Sequence, residues 1–589
     1  MGLWDGFLSL GAKVNKVDGD DVRISDGDIG DRFPALKIEK SDKELLKIAK
    51  AWQKAWEGYK GKITKRQEKN KNYWLGKHFE EAVAEKRNAI VDNRIFTDVE
   101  TLIPIVAGQN PEPLVLADNS ESGDDLAGKV AKHLAYQADT QKLKLIIQQS
   151  TRNWMLDLIG VVKYGWDIVE DDIETKILSV RKLILDPDAT IGVRGYTGGY
   201  VGEFKKERAD KVIRGFPNME KVITEKVGGE MWTEIEFIEW WTADVLFWTF
   251  REEVMGKIKN PHWNYDEDQS VPDFDEAGFQ KLDSGGEPQD KIITTPGKNH
   301  FKTRRMPYTF LAGLFNTGEH PHDDTSLIEQ VIPQQDLINK RQRQLDKNAD
   351  QTNGGLVLDS NVFTKEQGAQ AANALRTGGA ILAPGGVAAV KRETGTPLPS
   401  FITQTLQDYR AEIDNIMGIH ATTKGEAPQT KTLGGQILLE QADKTRASSI
   451  TVWVEQFADE IFNWWTQLMY VYYDVTHTAA ILGEEKKEEF IALINDDMIG
   501  KLLVSVKEGS MIPKDPLTKR GEAIDLWKAG ALDPLSLFVA LDHPDPKAAA
   551  ERLFQHKKLE ASGYAATGIT GEGGEVSMAD GVTPPPVAI

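Results

Sequence analysis

Between about residues 322 and 474 the pattern of apolar and polar positions changes character three times, and each change predicts an element. The first run, DDTSLIEQVIPQQDLINKRQRQLDKNADQ, places Val331, Ile338 and Leu345 seven residues apart. Gln334, Gln335, Lys340, Arg341, Gln342, Arg343, Lys347 and Asn348 leave most of that cylinder polar. The spacing predicts a helix over 321–350 with one narrow apolar seam and a wide solvated face, which suits neighbours packed side by side. Pro333 is compatible with a helix that starts there and otherwise marks a kink. A Gly- and Ala-rich segment follows over 351–398, with strands expected at GLVLD, AILA and VAAVKRE and a helix near 364–375. TLQDYRAEIDNIMG predicts a second helix within 399–419, and HATTKGEAPQTKTLGG a loop over 420–435. From Gln436 onward Ile450, Trp453, Phe457, Ile461, Trp464, Leu468 and Val471 recur at three- and four-residue steps, the signature of one buried helical face. Helical throughout, 436–473 would span roughly 57 Å at 1.5 Å per residue.

The remainder alternates helical and strand patterns. Residues 1–40 are irregular, with an Asp- and Gly-rich VDGDDVRISDGDIGD that lacks the acidic twelfth ligand of an EF-hand. Ser41 and Glu44 form a capping box that predicts a helix to about Tyr59, and a second helix is expected near 79–91. A further helix is expected over about 124–149 and another ending at Gly160. VVKYGWDIV then alternates with Val162, Tyr164, Trp166 and Ile168 on one side, predicting a strand paired with ILSVRKLIL through the turn LDPDATI. WTEIEFIEWWTADVLFW reads as strands and NYDEDQSVPDFDEAG as a charged loop. In HPHDD, residues 320–324, capping of the following helix by Asp323, Asp324 or Thr325 is preferred to metal binding, because contiguous ligands rarely converge on one ion. Asp515-Pro516, Asp533-Pro534 and Asp545-Pro546 each place a capping residue before a proline at the first helical position, predicting three C-terminal helices. The Gly-, Pro- and Ala-rich stretch from Ala561 is expected to be disordered.

Composition narrows the function classes. The 589 residues are 40% hydrophobic and 28% charged, enough for several cores and three or four structural units. No window approaches about eighteen uninterrupted apolar residues, so no transmembrane helix is expected. The start, MGLWDGFLSLGAK, has no basic leader or secretory cleavage site and carries Gly6 where myristoylation needs Ser or Thr, so a cytosolically made chain is expected. There are no cysteines, so disulfides and thiol nucleophiles are excluded. The net charge of −20 argues against gripping nucleic acid over a broad surface. Residues 36–90 depart from that balance with fifteen Lys or Arg against eight Asp or Glu, read first as a solvated helix face. Every Gly-Lys pair is followed by Ile, His, Val, Asn or Leu, so no Walker-type phosphate loop is present. HExxH and Gly-x-Ser-x-Gly are also absent. Asp186 and Asp188 fit a turn better than a Mg²⁺ site. No catalytic residue, metal or cofactor is expected.

Tyr73–Gly76 in KNYWLGK, the run NRIFTDVETLIPIVAGQNPEPLV, Gly160 followed by VVKYGWD, and LILDPDAT resemble, in that order, the landmarks of the portal proteins of tailed bacteriophages. The order continues through the polar helix, small α/β segment, second helix, Thr/Lys/Gly-rich loop and long helix, so that the similarity spans about residues 65–475. The resemblance implies an α+β, mainly α, multi-domain fold with wing, stem, clip and crown, assembling as a ring of about twelve copies. It assigns 1–40 to an N-terminal arm, 41–320 to a mixed wing, 321–350 and 399–419 to stem helices, and 351–398 to the clip. Residues 420–435 become a tunnel loop, 436–475 the helix leading to the crown, 476–560 a mostly helical C-terminal wing and crown, and 561–589 the tail.

The ring would be a conduit at one capsid vertex, assembled in the host cytoplasm and carried in the virion. Genome is packaged through it by a terminase motor and later ejected. Implied partners are double-stranded DNA in the channel, the terminase large subunit, the major capsid protein with a scaffold, and a head-tail adaptor, with no membrane. On this reading Thr422, Thr423, Lys424, Gly425, Glu426, Thr430 and Lys431 of the loop meet DNA transiently. Gln335, Lys340, Arg341, Arg343 and Lys347 supply the polar stem face, and the heptad stripe supplies the seam between neighbours. A metal-dependent nuclease or other DNA-processing phage enzyme, or a tail or adaptor component, are the alternatives.

Overall fold

The computed structural model describes residues 40–79, 90–117, 121–167, 170–192, 195–273, 290–312, 320–323, 325–352, 355–377, 390–393, 399–419, 433–473, 477–482, 488–493, 502–511, 516–541 and 543–561. They fall into two units, one running to Ile481 and resuming over 488–511, the other centred on the C-terminal helices. The expected helix near 79–91 lies, apart from Phe79, Ile90 and Val91, outside the described residues, as do the strand AILA and residues 420–432 of the expected loop 420–435, whose last three residues belong instead to the long helix.

The predicted capping box opens α1, Asp42–Trp74: Ser41 N–H donates to Glu44 Oε2 at 3.0 Å and Glu44 N–H to Ser41 Oγ at 3.4 Å. The helix does not stop near Tyr59. Its buried stripe of Leu45, Ala49, Trp56, Ile63, Gln67, Asn70 and Tyr73 continues past Gly58 and Gly61, and tertiary packing overrides the weak helix propensity of glycine there. α2, Arg94–Val106, is capped by Asn93, whose Oδ1 accepts from Phe96 N–H at 3.2 Å. After β1, Pro113–Leu116, the single helix expected over 124–149 is two, α3 (Glu121–Thr140) and α4 (Leu143–Asp157). Lys142, at φ 54°, breaks the run, so that Leu134 and Ala138 before it and Leu143 and Ile147 after it are all buried in one core. α4 leads into β2, Gly160–Asp167. A Cβ on Gly160 would stand 2.3 Å from the Ser150 carbonyl oxygen, so only glycine lets the strand start this close to α4.

β2 pairs antiparallel with β3, Asp172–Leu178, in place of the whole of ILSVRKLIL. The second half of that run is β4, Leu183–Leu185, which joins a different sheet, and Asp186-Pro187-Asp188 turns away from it instead of closing the β2–β3 pair. That sheet continues with β5 (Val201–Arg208), β6 (Glu234–Trp241), β7 (Val245–Phe250) and β8 (Glu253–Lys259), in the antiparallel order β8-β7-β6-β5-β4. The expected charged loop contains a strand, β9 (Glu267–Pro272), paired with β10 (Asp290–Thr295); cross-strand pairing outweighs the acidic composition. β11, Tyr308–Leu311, completes the sheet β11-β2-β3.

The two larger sheets are joined by buried charge. Lys163 of β2 reaches Glu203 of β5 at 2.9 Å and also Glu239 of β6, while Lys205 pairs with Glu203 at 2.5 Å. Trp241 and Trp248 donate their indole N–H groups to Glu239 at 2.6 and 3.2 Å. The paired lysines hold Glu239 below the ordinary carboxylate range although burial alone would raise it.

α5, Leu327–Thr352, is followed by β12 (Gly355–Leu358), α6 (Lys365–Thr377), β13 (Val390–Glu393) and α7 (Ser400–Met417), with β12 and β13 antiparallel. α8 runs from Leu433 to Tyr472, 40 residues and roughly 60 Å. Its second half is buried on nearly every side. Gln467 is fully satisfied there, accepting from His300 and Phe301 N–H and donating to the His262 carbonyl and Asn299. Tyr164 and Trp166 of β2 stack on Trp464 and Tyr472. Within 476–560 the chain holds strands as well as helices, at His477–Leu482, Glu488–Leu493 and β14, Leu503–Val506; β14 pairs with β1 and closes the first unit on itself. In the second unit α9 (Pro516–Lys528), α10 (Pro534–Ala540) and α11 (Pro546–Ala561) each begin at the expected proline, and Asp533 and Asp545 accept from Ser536 and Ala548 N–H at 3.0 Å. Helices and antiparallel sheets together make the fold α+β with helices predominant.

Candidate site on the paired polar helices

α5 is fixed first at its N-terminal end. Ser326 caps it reciprocally with Glu329, in place of the expected Asp323 or Thr325, because Ser326 stands one residue before the first helical turn; Asp324, the third expected cap, lies outside the described residues. Arg66 of α1 grips both Glu329 oxygens at 2.9 and 2.8 Å and donates to the His322 carbonyl at 2.8 Å. Burial alone would raise the Glu329 carboxyl, but the guanidinium holds it below its ordinary value. His322 is packed against Trp56 and Tyr59, and burial, with Arg66 nearby, lowers it to about 3. It is a neutral core residue. His320 Nδ1 meets the Pro187 carbonyl at 2.6 Å. Among the described residues no group of three or more His, Asp or Glu is placed to hold a metal, and Asp186 spends its carboxylate on Asp188 and Gly199 N–H.

α5 then runs through Pro333, which lies inside the helix and not at its start. Tyr73 donates to Asp336 at 2.6 Å, and Arg410 of α7 pairs with Asp92 at 2.6 Å. Val331 and Ile338 are completely buried, in one cluster with Leu406, Ile413 and Met417 of α7 and with α2, and Leu345 is packed against the same cluster. The heptad seam is therefore filled by the chain's own helices. It is not the free intersubunit stripe expected, because a hydrophobic period does not say whether the covering helix comes from the same chain.

The five polar residues singled out on this helix divide. Gln335 is buried: it accepts from Arg94 N–H at 3.1 Å and donates to the Asp92 carbonyl at 2.7 Å and to Asn339, so it anchors the α2 entry and leaves the solvated face. Lys340 and Lys347 are exposed, and Arg341 and Arg343 half-buried. Arg343 lies over the Phe79 ring, 4.7 Å from its centre, and Arg341 donates to Gln344 at 2.8 Å. Buried Arg341 Nε and Gln334 Oε1 find no partner among the described residues. Leu337 and Phe401 are 36% and 57% exposed on the same helix pair. Sequence reasoning missed both, since neither lies on the heptad stripe. Thr422, Thr423, Lys424, Gly425, Glu426, Thr430 and Lys431 lie outside the described residues.

Two polar helices on a well-fixed base, a small α/β segment between them and a 40-residue helix after them form one continuous arrangement. The sequence profile of the phage P22-like portal protein family matches residues 50–519, through all of these elements. The chain belongs to that family. Membership brings a head-tail connector role in a phage, a place at the capsid vertex, and a homo-oligomeric ring that meets capsid and DNA; the family is structural rather than enzymatic. No curated protein matches the chain. Among the described residues no helix is long and apolar enough to cross a membrane.

Proposed function

We propose that twelve copies form the ring, that α5 and α7 are its stem, that 351–398 is its clip, and that 420–435 is a tunnel loop reaching into the channel. Genome enters through this channel under a terminase motor whose large subunit docks on the clip, and leaves through it after a head-tail adaptor has replaced the motor. Major capsid protein and scaffold meet the wing during assembly in the host cytoplasm. The observation that carries the reading is the family match running unbroken through α5, α7 and α8. The α5–α7 pair leaves the apolar side chains of Leu337 and Phe401 exposed, which supports side-by-side packing of neighbours.

Lys340, Arg341, Arg343 and Lys347 give the stem its scattered positive charge, enough for passing contact with phosphates and too sparse for tight retention. Lys424 and Lys431 in the tunnel loop act in the same way on the moving duplex, with Thr422, Thr423, Gly425, Glu426 and Thr430 keeping the loop small and polar. Replacing Lys424 and Lys431 by Ala is expected to lower DNA packaged per particle while leaving ring assembly intact. Normal packaging by the double variant would remove the loop from the function.

A further inference from the structure

α1 is a continuous run of 33 residues whose two faces differ completely. At about 100° per residue, the face opposite its buried stripe carries Lys43, Lys47, Lys54 and Lys65, with Lys62 at its edge, all exposed and none in an ion pair among the described residues. They extend over roughly 33 Å of helix. Lys50 shares the face and pairs with Glu252 at 2.7 Å. Glu57 and Glu68 are also there and Glu44 shares the edge with Lys62, so six lysines face three glutamates and the face is net positive in a chain whose net charge is −20.

In the middle of this face, between Lys54 and Lys62, stand Gly58 and Gly61. A Cβ built on either meets nothing within 4 Å, and neither has a positive φ. Among the described residues nothing requires glycine at these positions, although glycine weakens a helix interior relative to alanine. Exposed Ala51 and Ala55 continue the low ground, and no large apolar side chain is exposed anywhere on this face. A protein partner would need an apolar centre to bury. Flexible point charges flanking a stretch where the helix backbone can be closely approached suit a sugar-phosphate backbone instead.

We propose that this face of α1 is a sequence-independent docking surface for duplex DNA lying outside the channel, the lysines neutralising phosphates while Gly58 and Gly61 let one strand approach the helix. None of its residues belongs to the stem helices or the tunnel loop, so it does not depend on their assignment.

The test uses the full-length protein and covalently closed, relaxed circular duplex DNA, which cannot thread a closed ring. Binding is measured by gel shift from about 50 to 200 mM NaCl, a range over which phosphate contacts are strongly weakened. The wild type is expected to bind with log K falling linearly with log salt. K54Q/K62Q/K65Q is expected to reduce that slope by about 0.9 per lysine, about 2.7 in all, and to lower affinity at the lowest salt at least about ten-fold. G58Q/G61Q adds no charge and a better helix former; it is expected to bind less tightly with nearly the same slope and an undiminished Tm, whereas G58A/G61A keeps its affinity. The proposal is overturned if the circle is not bound at the lowest salt, if the lysine variant keeps the wild-type slope, or if G58Q/G61Q binds as tightly as wild type. It also fails if polyglutamate displaces the circle at lower charge equivalents than competing DNA, which would give the face to an acidic protein. Loss of ring assembly in G58Q/G61Q would give it to a neighbouring copy.

Discussion

Replacing Lys163 by Met removes one of two cations from a buried cluster that also holds Glu203 and Glu239. Lys163 and both carboxylates are almost inaccessible to water, with side-chain exposures of 13%, 4% and 5%. Methionine keeps most of the side-chain volume, so the loss is electrostatic. Lys205 still pairs with Glu203, and Glu239 keeps the Trp241 and Trp248 N–H donors, but one buried negative charge is left without a cation. Breaking a buried pair in this way costs about 3–5 kcal/mol. K163M/E239Q restores the charge balance, since Lys205 and Glu203 remain, although the amide oxygen can replace only one of the two Glu239 oxygens to which Trp241 and Trp248 donate. It is expected to recover more than half of the loss. Urea unfolding at pH 7, followed by tryptophan fluorescence beside far-UV circular dichroism, measures both. A K163M cost under about 1 kcal/mol, or a double variant no more stable than the single one, would show that the cluster does not hold the two sheets together.

Acid should weaken the fold through two buried histidines, opposed in part by Asp459, whose carboxyl burial raises to about 6. Burial, with Lys163 nearby, lowers His262 to about 3, and burial, with Arg66 nearby, lowers His322 to about 3. Both are neutral in the folded chain above that value and take up protons near pH 6.5 only when unfolded, so stability is unaffected above about 6.5 and falls as pH drops below it. The expected slope is about 1.4 kcal/mol per pH unit for each histidine between about pH 6 and 4, and H322F should remove one share; an unchanged slope would contradict this. Glu239, held low, adds stability that is present above the ordinary carboxylate pKa of about 4.3 and is lost as pH falls through its own lower value. On the helix pair, I338A, at a fully buried position, is expected to cost about 2–5 kcal/mol of protomer stability in urea unfolding. L337D/F401D, at exposed positions, should cost the protomer under about 0.5 kcal/mol yet prevent ring formation in light scattering. Reversed outcomes would exchange the roles of the two faces.

The parts of the fold legible in the sequence were those where one local signal decides. The Asp-Pro pairs fixed the starts of α9, α10 and α11 because capping and proline chemistry act within one turn. The long α8 was legible from its aromatic stripe, and the Ser41–Glu44 capping box marked the first residue of α1. Where tertiary contact decides, local reading stopped short. α1 was expected to end near Tyr59, but burial on both sides of Gly58 and Gly61 carries it to Trp74, and ILSVRKLIL divides between two sheets because Leu183–Leu185 pairs with β5. Nothing in the sequence separated Gln335, buried by Arg94 and Asp92 more than 200 positions away, from its exposed neighbour Lys340. The same limit hid the intramolecular filling of the heptad seam.

The central claim is that this chain closes into a hollow ring. The mass of the purified 65.6 kDa protein by light scattering, with negative-stain images of the same sample, tests it most directly. The account predicts a single large species, close to twelve protomers in mass, seen end-on as a ring with a central hole. A compact assembly without a hole, or a protein that stays monomeric even with its own scaffold and capsid proteins present, would contradict it.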